Sequence, residues 1–318
     1  AQRLLSAQPE DLAQCFAALL DQRKVVRKSI AGQDACYLAR LYDCEVYVAD
    51  YLLGMDGEAL CPPEDLDGLL DRIQTEQGIQ YAPLQAEAVK TAAQRQMLLL
   101  TGGPGTGKTT SLRGILALFD HLGLRTALTA PTGRAAKRIA ELTGREAKTL
   151  HRLLEVRWDE NDAPVFDRNE KNPLEADAVV VDEMSMVDTI LFESLLRALK
   201  TGCRLILVGD TDQLPPVGPG CVLQDLMGSG AVPVMQLTRV FRQALESRIV
   251  YNAHRIVAGE AMELDNKGDC FFMPRPTAAA VTDTVLELCH HRLPDAYGYT
   301  VLNGLQVLCP GRRGELGT

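Results

Sequence analysis

The stretch GGPGTGKTT, residues 102 to 110, carries the most specific chemistry in the chain. It fits the pattern G-x-x-x-x-G-K-[ST], directly after an apolar strand-like run and before a helix-like one, which is the context the pattern requires. Glycines allow the backbone to wrap closely around phosphates, and loop N–H groups together with a helix N-terminus attract the anion. Gly102, Gly103, Pro104, Gly105, Thr106, Gly107, Lys108, Thr109 and Thr110 are therefore the nucleotide-binding candidates. Lys108 is placed to reach the β- and γ-phosphates, and Thr109 to coordinate Mg²⁺. A nucleoside triphosphate is the ligand this implies.

Two further strand ends bear on the same chemistry. In VVVDEMSMVD, Asp182 closes an apolar run about 70 residues after the loop and is positioned to hold Mg²⁺. Glu183 beside it suits a general base toward attacking water. In VGDTDQLPPVGPG, residues 208 to 220, another apolar strand ends in Asp210, Thr211, Asp212 and Gln213 and is then stiffened by Pro215 and Pro216. Ligands of doubly wound sheets sit at the carboxyl ends of the strands, so these groups aim at the same nucleotide. Gln213 is the candidate to sense the γ-phosphate or the water, with the proline segment passing that state outward.

The elements that must position these groups alternate from about residue 80. Strands are expected at 97–101, 126–130, 177–183 and 204–210, and helices at 111–123, 133–144 and 191–202. Strands apolar throughout, alternating with amphipathic helices, indicate an α/β fold with a parallel sheet covered on both faces. After about residue 236 a second alternation begins, with helices at 247–259 and 278–291 and strands at 269–273 and 305–310, enough for part of a further sheet. Residues 1–60 suggest helix, hairpin and helix: either a small winged-helix-like module or a helical extension packed on the core. Residues 61–79 read as linker and lead-in helix, 80–236 as the first nucleotide-binding domain and 237–318 as an incomplete second one. Within the first, EVRW, a polar turn and PVF form an expected hairpin over 155–169 that carries the only tryptophan, Trp158.

Composition sets bounds. At 318 residues, 46% hydrophobic and 24% charged, the chain has the makeup of an ordinary globular protein of two or three domains. No apolar stretch approaches the ~18 residues of a membrane span, so no membrane partner is expected. Nine cysteines without metal-ligand spacing read as reduced core thiols of a cytoplasmic protein. The net charge of −9 neither requires nor excludes nucleic acid, because a local basic stripe suffices. Lys137, Arg138, Arg145, Lys148, Arg152 and Arg157 form such a stripe, or else a solvated helix face.

GGPGTGKTT, APTGRAAKR, TLHRLL, VVVDEMSM, VGDTDQLPPVGPG and LTRVFRQ stand in the order found in superfamily 1 helicases. Over residues 80–318 the chain resembles RecD-like helicases, the long form with an N-terminal extension best. The resemblance implies RecA-like P-loop domains, ATP with Mg²⁺, and 5′→3′ movement on single-stranded DNA and ss/ds junctions in bacterial DNA repair or recombination, with protein partners in such a complex. It places Gln85 against adenine and Arg242 against the γ-phosphate from the second domain. It places Pro131, Thr132, Gly133 and Arg134 on single-stranded DNA, Thr149 and His151 at a second such contact, and the Trp158 hairpin at the duplex fork. A structural flap is the other reading of that hairpin, and a satisfied structural histidine that of His151.

Two superfamily motifs of the second domain, His-Lys-Ser-Gln-Gly and Thr-Arg-Ala, do not occur. The chain therefore reads as a fragment that binds ATP–Mg²⁺ but hydrolyses it poorly and does not unwind DNA alone. The helicase part of a conjugative relaxase is a rival within the class. A nucleotide-controlled binding protein that does not translocate is a rival outside it.

Overall fold

The structure, a computed structural model, describes residues 9–30, 32–55, 60–160, 164–241, 246–300 and 304–317. Contacts divide the chain into two units, with the boundary between Glu246 and Ser247.

In the first unit, helix α1 (Pro9–Asp21) leads into an antiparallel hairpin of β1 (Val25–Ile30) and β2 (Gln33–Leu38), then α2 (Ala39–Met55). There follow α3 (Leu66–Gln77), α4 (Pro83–Gln94), β3 (Met97–Gly102), α5 (Lys108–His121), β4 (Thr126–Ala130), α6 (Gly133–Thr143) and β5 (Ala147–Thr149). A single helical turn, α7 (Leu150–Leu153), enters the antiparallel pair β6 (Val156–Trp158) and β7 (Pro164–Phe166). Next come β8 (Ala178–Val181), α8 (Thr189–Ala198), β9 (Arg204–Gly209), α9 (Val222–Ser229) and β10 (Val234–Leu237).

Six strands form one sheet in the order β10-β3-β9-β8-β4-β5, every neighbouring pair parallel. Its central strands read as unbroken apolar runs because both faces are buried. Along β3, Met97 and Leu99 enter one core while Leu98 and Leu100 enter the other. Along β9, Leu205 and Leu207 oppose Ile206 and Val208 in the same way, as the period of two in a strand demands. Helices α3, α4 and α5 cover one face through Ile73, Val89 and Phe119. Helices α8 and α9 cover the other through Phe192 and Leu223, each such side chain contributing about 1.5–3 kcal/mol. Strands β5 and β10 were not apparent in the sequence. They are edge strands of three and four residues, too short for a periodic signal to form.

Helix α2 also belongs to this second face, with Val48, Leu52 and Met55 in the core. It is fastened to α8 by a polar knot. Glu193, 1% exposed, accepts from the Cys44 thiol (2.9 Å), from Arg40 (2.6 Å) and from Arg197 (2.9 and 3.0 Å). Arg197 lies 3.8 Å from the centroid of the Tyr47 ring on α2. Burial pushes the Glu193 carboxyl upward, but the bonds from Arg40, Cys44 and Arg197 outweigh it and the net shift is downward. The cysteines divide in location: Cys44 and Cys203 are buried core thiols, whereas Cys15, Cys36 and Cys61 are exposed, contrary to a uniformly core placement.

The second unit contains α10 (Arg248–Val257), α11 (Ala278–Glu287), a π-helical turn at Leu288–Arg292, and α12 (Leu293–Tyr297). Neither 269–273 nor 305–310 forms the expected strand; the pairing of Thr300 with Gly304 is an isolated bridge. The reason is visible at 269. The Asp269 carboxylate accepts from Arg248 N (2.7 Å), Ile249 N (3.2 Å) and the Ser247 hydroxyl (2.6 Å), so the segment caps α10, and among the described residues no strand lies alongside it to form a ladder.

Glu193→Gln keeps the shape of the α2–α8 knot and removes its charge. Because the folded-state pKa is depressed, the contribution is present at neutral pH and lost as pH falls through that pKa. The variant is expected to lose about 1–3 kcal/mol at pH 7 in denaturant unfolding, with the difference from wild type closing in acid. Equal loss at all pH values would contradict the charge-based account.

Candidate nucleotide and nucleic-acid site

A parallel sheet delivers all its carboxyl ends to one edge. Here that edge reads, in spatial order, Leu237, Gly102, Gly209, Val181, Ala130 and Thr149. The phosphate loop, the two acidic strand ends and the two expected DNA loops therefore lie side by side.

The phosphate loop leaves β3 and enters α5. Gly105 and Gly107 hold φ of 74° and 86°, the left-handed region that favours glycine. A Cβ on Gly107 would stand 2.2 Å from Gln85 Nε2 and 3.0 Å from the Phe241 ring, so no larger residue fits. Lys108 Nζ donates to the carbonyl oxygens of Gly102 and, at 3.1 Å, Gly103, and lies 3.8 Å from the buried Asp210 carboxylate. Thr106 closes the turn by donating to Gly103 O (2.9 Å). The ammonium is thus held at the centre of the loop by neutral carbonyl acceptors, which the charged oxygens of a phosphate would replace with stronger bonds.

Asp182 and Glu183 follow β8. Burial, then the neighbouring Glu183 charge, pushes the Asp182 carboxyl up to about 6, against the Glu183 N–H, Lys108 and Arg138. A carboxylate short of positive charge at a phosphate loop fits a divalent cation. Asp182 and the Thr109 hydroxyl are the groups that would hold it, the remaining ligands being phosphate oxygens and water as Mg²⁺ prefers. Glu183 itself adopts φ 53°, a left-handed conformation costly for a non-glycine residue, at the position where a base is expected.

Gln213 sits beyond β9, its N–H donating to Asp210 O (3.3 Å). Its side-chain oxygen accepts from the Ser185 hydroxyl (3.3 Å), which turns the amide NH₂ outward as a donor. Ser185 escaped sequence reasoning, although it stands two residues past Glu183 in the motif already singled out. The stiff segment after Gln213 is seated on the start of α8. A Cβ on Gly218 would lie 1.9 Å from Asp188 Oδ2, and Thr189 N donates to Pro219 O (3.0 Å). Leu214 and Val217 remain fully exposed on it.

Gln85 is 3% exposed, and both ends of its amide are engaged: Oε1 accepts from Ala82 N (3.0 Å) and Nε2 donates to Gly107 O (3.3 Å). It is part of the wall of the phosphate loop, and reading adenine would require it to release one of these bonds. Phe241 N donates to Gly105 O (3.1 Å), bringing the LTRVFRQ segment onto the loop. Arg242 lies outside the described residues.

On the DNA side, Thr132 caps α6 by accepting from Ala135 N (3.2 Å), and Thr149 caps α7 by accepting from Arg152 N (3.2 Å). Each hydroxyl retains its proton for a phosphate. Ala130 pairs with Thr149 in register, so the loop of Pro131, Thr132, Gly133 and Arg134 adjoins Thr149 and His151. Trp158 is separate, on the β6–β7 hairpin and 63% exposed. The basic stripe is narrower than its composition suggests. Lys137, Arg145, Lys148 and Arg157 pair with Glu141, Asp120, Glu146 and Asp167. Arg134, Arg138 and Arg152 form no ion pair among the described residues.

Raising the Asp182 pKa means the folded protein holds that proton more tightly than the unfolded chain, so stability falls as pH rises from about 4 to 6 and stays lower above. Asp182→Asn should therefore stabilise the ligand-free protein by about 1–3 kcal/mol at pH 8 in thermal or denaturant unfolding while weakening Mg²⁺-dependent nucleotide binding. A variant no more stable than wild type at pH 8 would refute the assigned environment.

Residues 85–219 match the AAA domain family. The chain is 41% identical over 235 residues to an ATP-dependent RecD2 DNA helicase of Deinococcus radiodurans, covering 73% of this chain and 30% of that protein. It is 40% identical over 187 residues to a RecBCD enzyme subunit RecD of Mycolicibacterium smegmatis, covering 51% and 33%. The Pif1 helicase from Candida albicans superposes with a TM-score of 0.42 at 26% identity, over 56% of this chain and 44% of that one. The chain spans about a third of the length of the two bacterial relatives. By the stretch it shares with them, and with those motifs in that order along one sheet edge, the chain is similar to the RecD-like superfamily 1 helicases.

Proposed function

We propose that the chain supplies the nucleotide-binding half of an ATP-driven DNA helicase that moves 5′→3′ along single strands and opens ss/ds junctions in DNA repair or recombination. The observation that carries this reading is the adjacency of the phosphate loop, the acidic strand ends and the Thr132 and Thr149 loops on one sheet edge. The acidic end of β8 there lies one strand from the Thr132 loop and two from Thr149, the groups expected to grip the DNA backbone.

The geometry around the phosphate loop, together with the resemblance, supports the following roles. Lys108 exchanges its carbonyl partners for phosphate oxygens. Mg²⁺, when bound, neutralises charge on the β- and γ-phosphates. Glu183 takes the proton of the attacking water, and the Gln213 amide, turned outward by Ser185, donates to the water or the γ-phosphate. Gln85 is read as the adenine contact and Arg242 as the arginine that completes the site from residues 237–318, taken as part of a second RecA-like domain. Backbone and hydroxyl donors at Thr132 and Thr149, with Arg134, suit phosphates without reading sequence. The β6–β7 hairpin is assigned to the junction itself. No helix among the described residues is long and apolar enough to cross a membrane.

The test is ATP turnover and fluorescent-nucleotide binding with and without oligo-dT, beside Lys108→Ala. Wild-type chain should bind Mg²⁺–nucleotide, turn it over slowly, rise several-fold with oligo-dT and leave a forked duplex closed when acting alone. Lys108→Ala should lose about 100-fold or more of the turnover, as expected when a donor to transition-state charge is removed. Turnover indifferent to oligo-dT would favour a nucleotide switch over a motor. Robust unwinding by this chain alone would refute the assignment of only half a motor to it.

A further inference from the structure

The β6–β7 hairpin is not a loosely hung flap. It springs from α7 with a single intervening buried residue, Leu154, and a left-handed Glu155 at φ 56°. Its stem is cross-linked on both sides. Asp167 N donates to Glu155 O (3.3 Å), Arg168 N to Leu154 O (3.2 Å) and the Arg168 guanidinium to the Glu155 carboxylate (2.8 Å), while Arg157 pairs with Asp167. Phe166, the last residue of β7, packs against the main core. The His151 ring also meets Phe166, with centroids 5.8 Å apart and planes tilted by 52°. His151 belongs to the turn that Thr149 caps, so this ring contact links the expected DNA loop to the hairpin base.

We infer that His151 is a positioning residue, setting the angle of the β6–β7 hairpin by the packing of its ring against Phe166, and that its nitrogens are not what the DNA backbone needs. This rests on the assignment of the hairpin to the junction. The physical basis is direct. The side-chain nitrogens of His151 bond no protein group among the described residues, whereas its ring lies 5.8 Å, centroid to centroid, from an aromatic side chain that itself packs against the core. Aromatic pairs of this tilted kind have a preferred geometry and resist rotation of one partner past the other. With the stem bonds holding the two strands together, the remaining freedom of the hairpin is its swing relative to α7, and that is the motion the His151–Phe166 contact opposes.

Trp158, the only tryptophan in the chain, lies on the hairpin and reports its motion directly. The experiment compares wild type, His151→Ala and His151→Phe in tryptophan fluorescence anisotropy and in binding of labelled oligo-dT. His151→Phe keeps the ring face and removes both nitrogens. The expected result is that His151→Ala lowers Trp158 anisotropy while oligo-dT affinity stays within about twofold, and that His151→Phe restores the anisotropy. If a His151 nitrogen instead bonds phosphate, both variants should weaken oligo-dT about 3–10-fold, the worth of one lost hydrogen bond, with Trp158 anisotropy unchanged. Either that pattern or a loss of anisotropy not rescued by phenylalanine overturns the inference. Wild-type Trp158 emission that ignores a forked duplex, while oligo-dT still binds, would instead remove the hairpin from the junction, and the two variants would still decide whether His151 anchors it.

Discussion

The parallel ladder through β10, β3, β9, β8, β4 and β5 is the constraint on which the rest depends. Parallel pairing forces every strand to end on the same edge, and it requires crossovers that place helices on both faces. The first consequence lines up Lys108, Asp182, Asp210, Gln213, Thr132 and Thr149 along one edge although more than 40 residues separate Lys108 from Thr149 and Thr149 from Gln213. The second buries both faces of the central strands, so that the edge is held on a rigid platform. An antiparallel sheet of the same strands would divide these groups between two opposite edges.

On that edge the electrostatics is unbalanced in a way that suits a ligand. Asp182, Glu183 and Asp210 bring negative charge close to a single ammonium, that of Lys108, which also rests on carbonyl oxygens. The raised Asp182 pKa expresses that imbalance. A nucleoside triphosphate with its cation adds charge of both signs and offers each group a better partner. The glycines of the loop admit it: at Gly107 the backbone passes so near Gln85 and Phe241 that even one methyl group would displace them.

Coupling away from the site runs through short, stiff pieces. The proline segment after Gln213 sits on the N-terminus of α8, and α8 is fastened to α2 by Glu193, Arg40, Arg197 and the Tyr47 ring. On the other flank, α7 passes directly into the hairpin stem. Ion pairs at the surface contribute little individually, but Glu193 is almost wholly buried and its loss of partners would leave a charge out of water. Residues 39–55 are thereby part of the platform and not an appendage to it.

The phosphate loop, the acids that end β8 and β9, and the alternation of strands and helices were legible in the sequence, because each depends on local rules: a fixed spacing of glycine, lysine and threonine, an apolar run closed by a carboxylate, and the periods of two and 3.6. The hairpin of β6 and β7 was legible for the same reason, two short β-forming runs flanking a polar turn. Edge strands β5 and β10 were not, being too short for periodicity. Strands expected at 269–273 and 305–310 failed because an extended apolar run becomes a strand only where a neighbour completes its ladder, and none lies there among the described residues. The burial of Gln85 with both amide ends engaged, the bond from Ser185 that turns Gln213 outward, and the His151–Phe166 contact were decided by tertiary structure alone. Residue type states what a side chain can bond, whereas the packing of distant elements determines which of those bonds it makes.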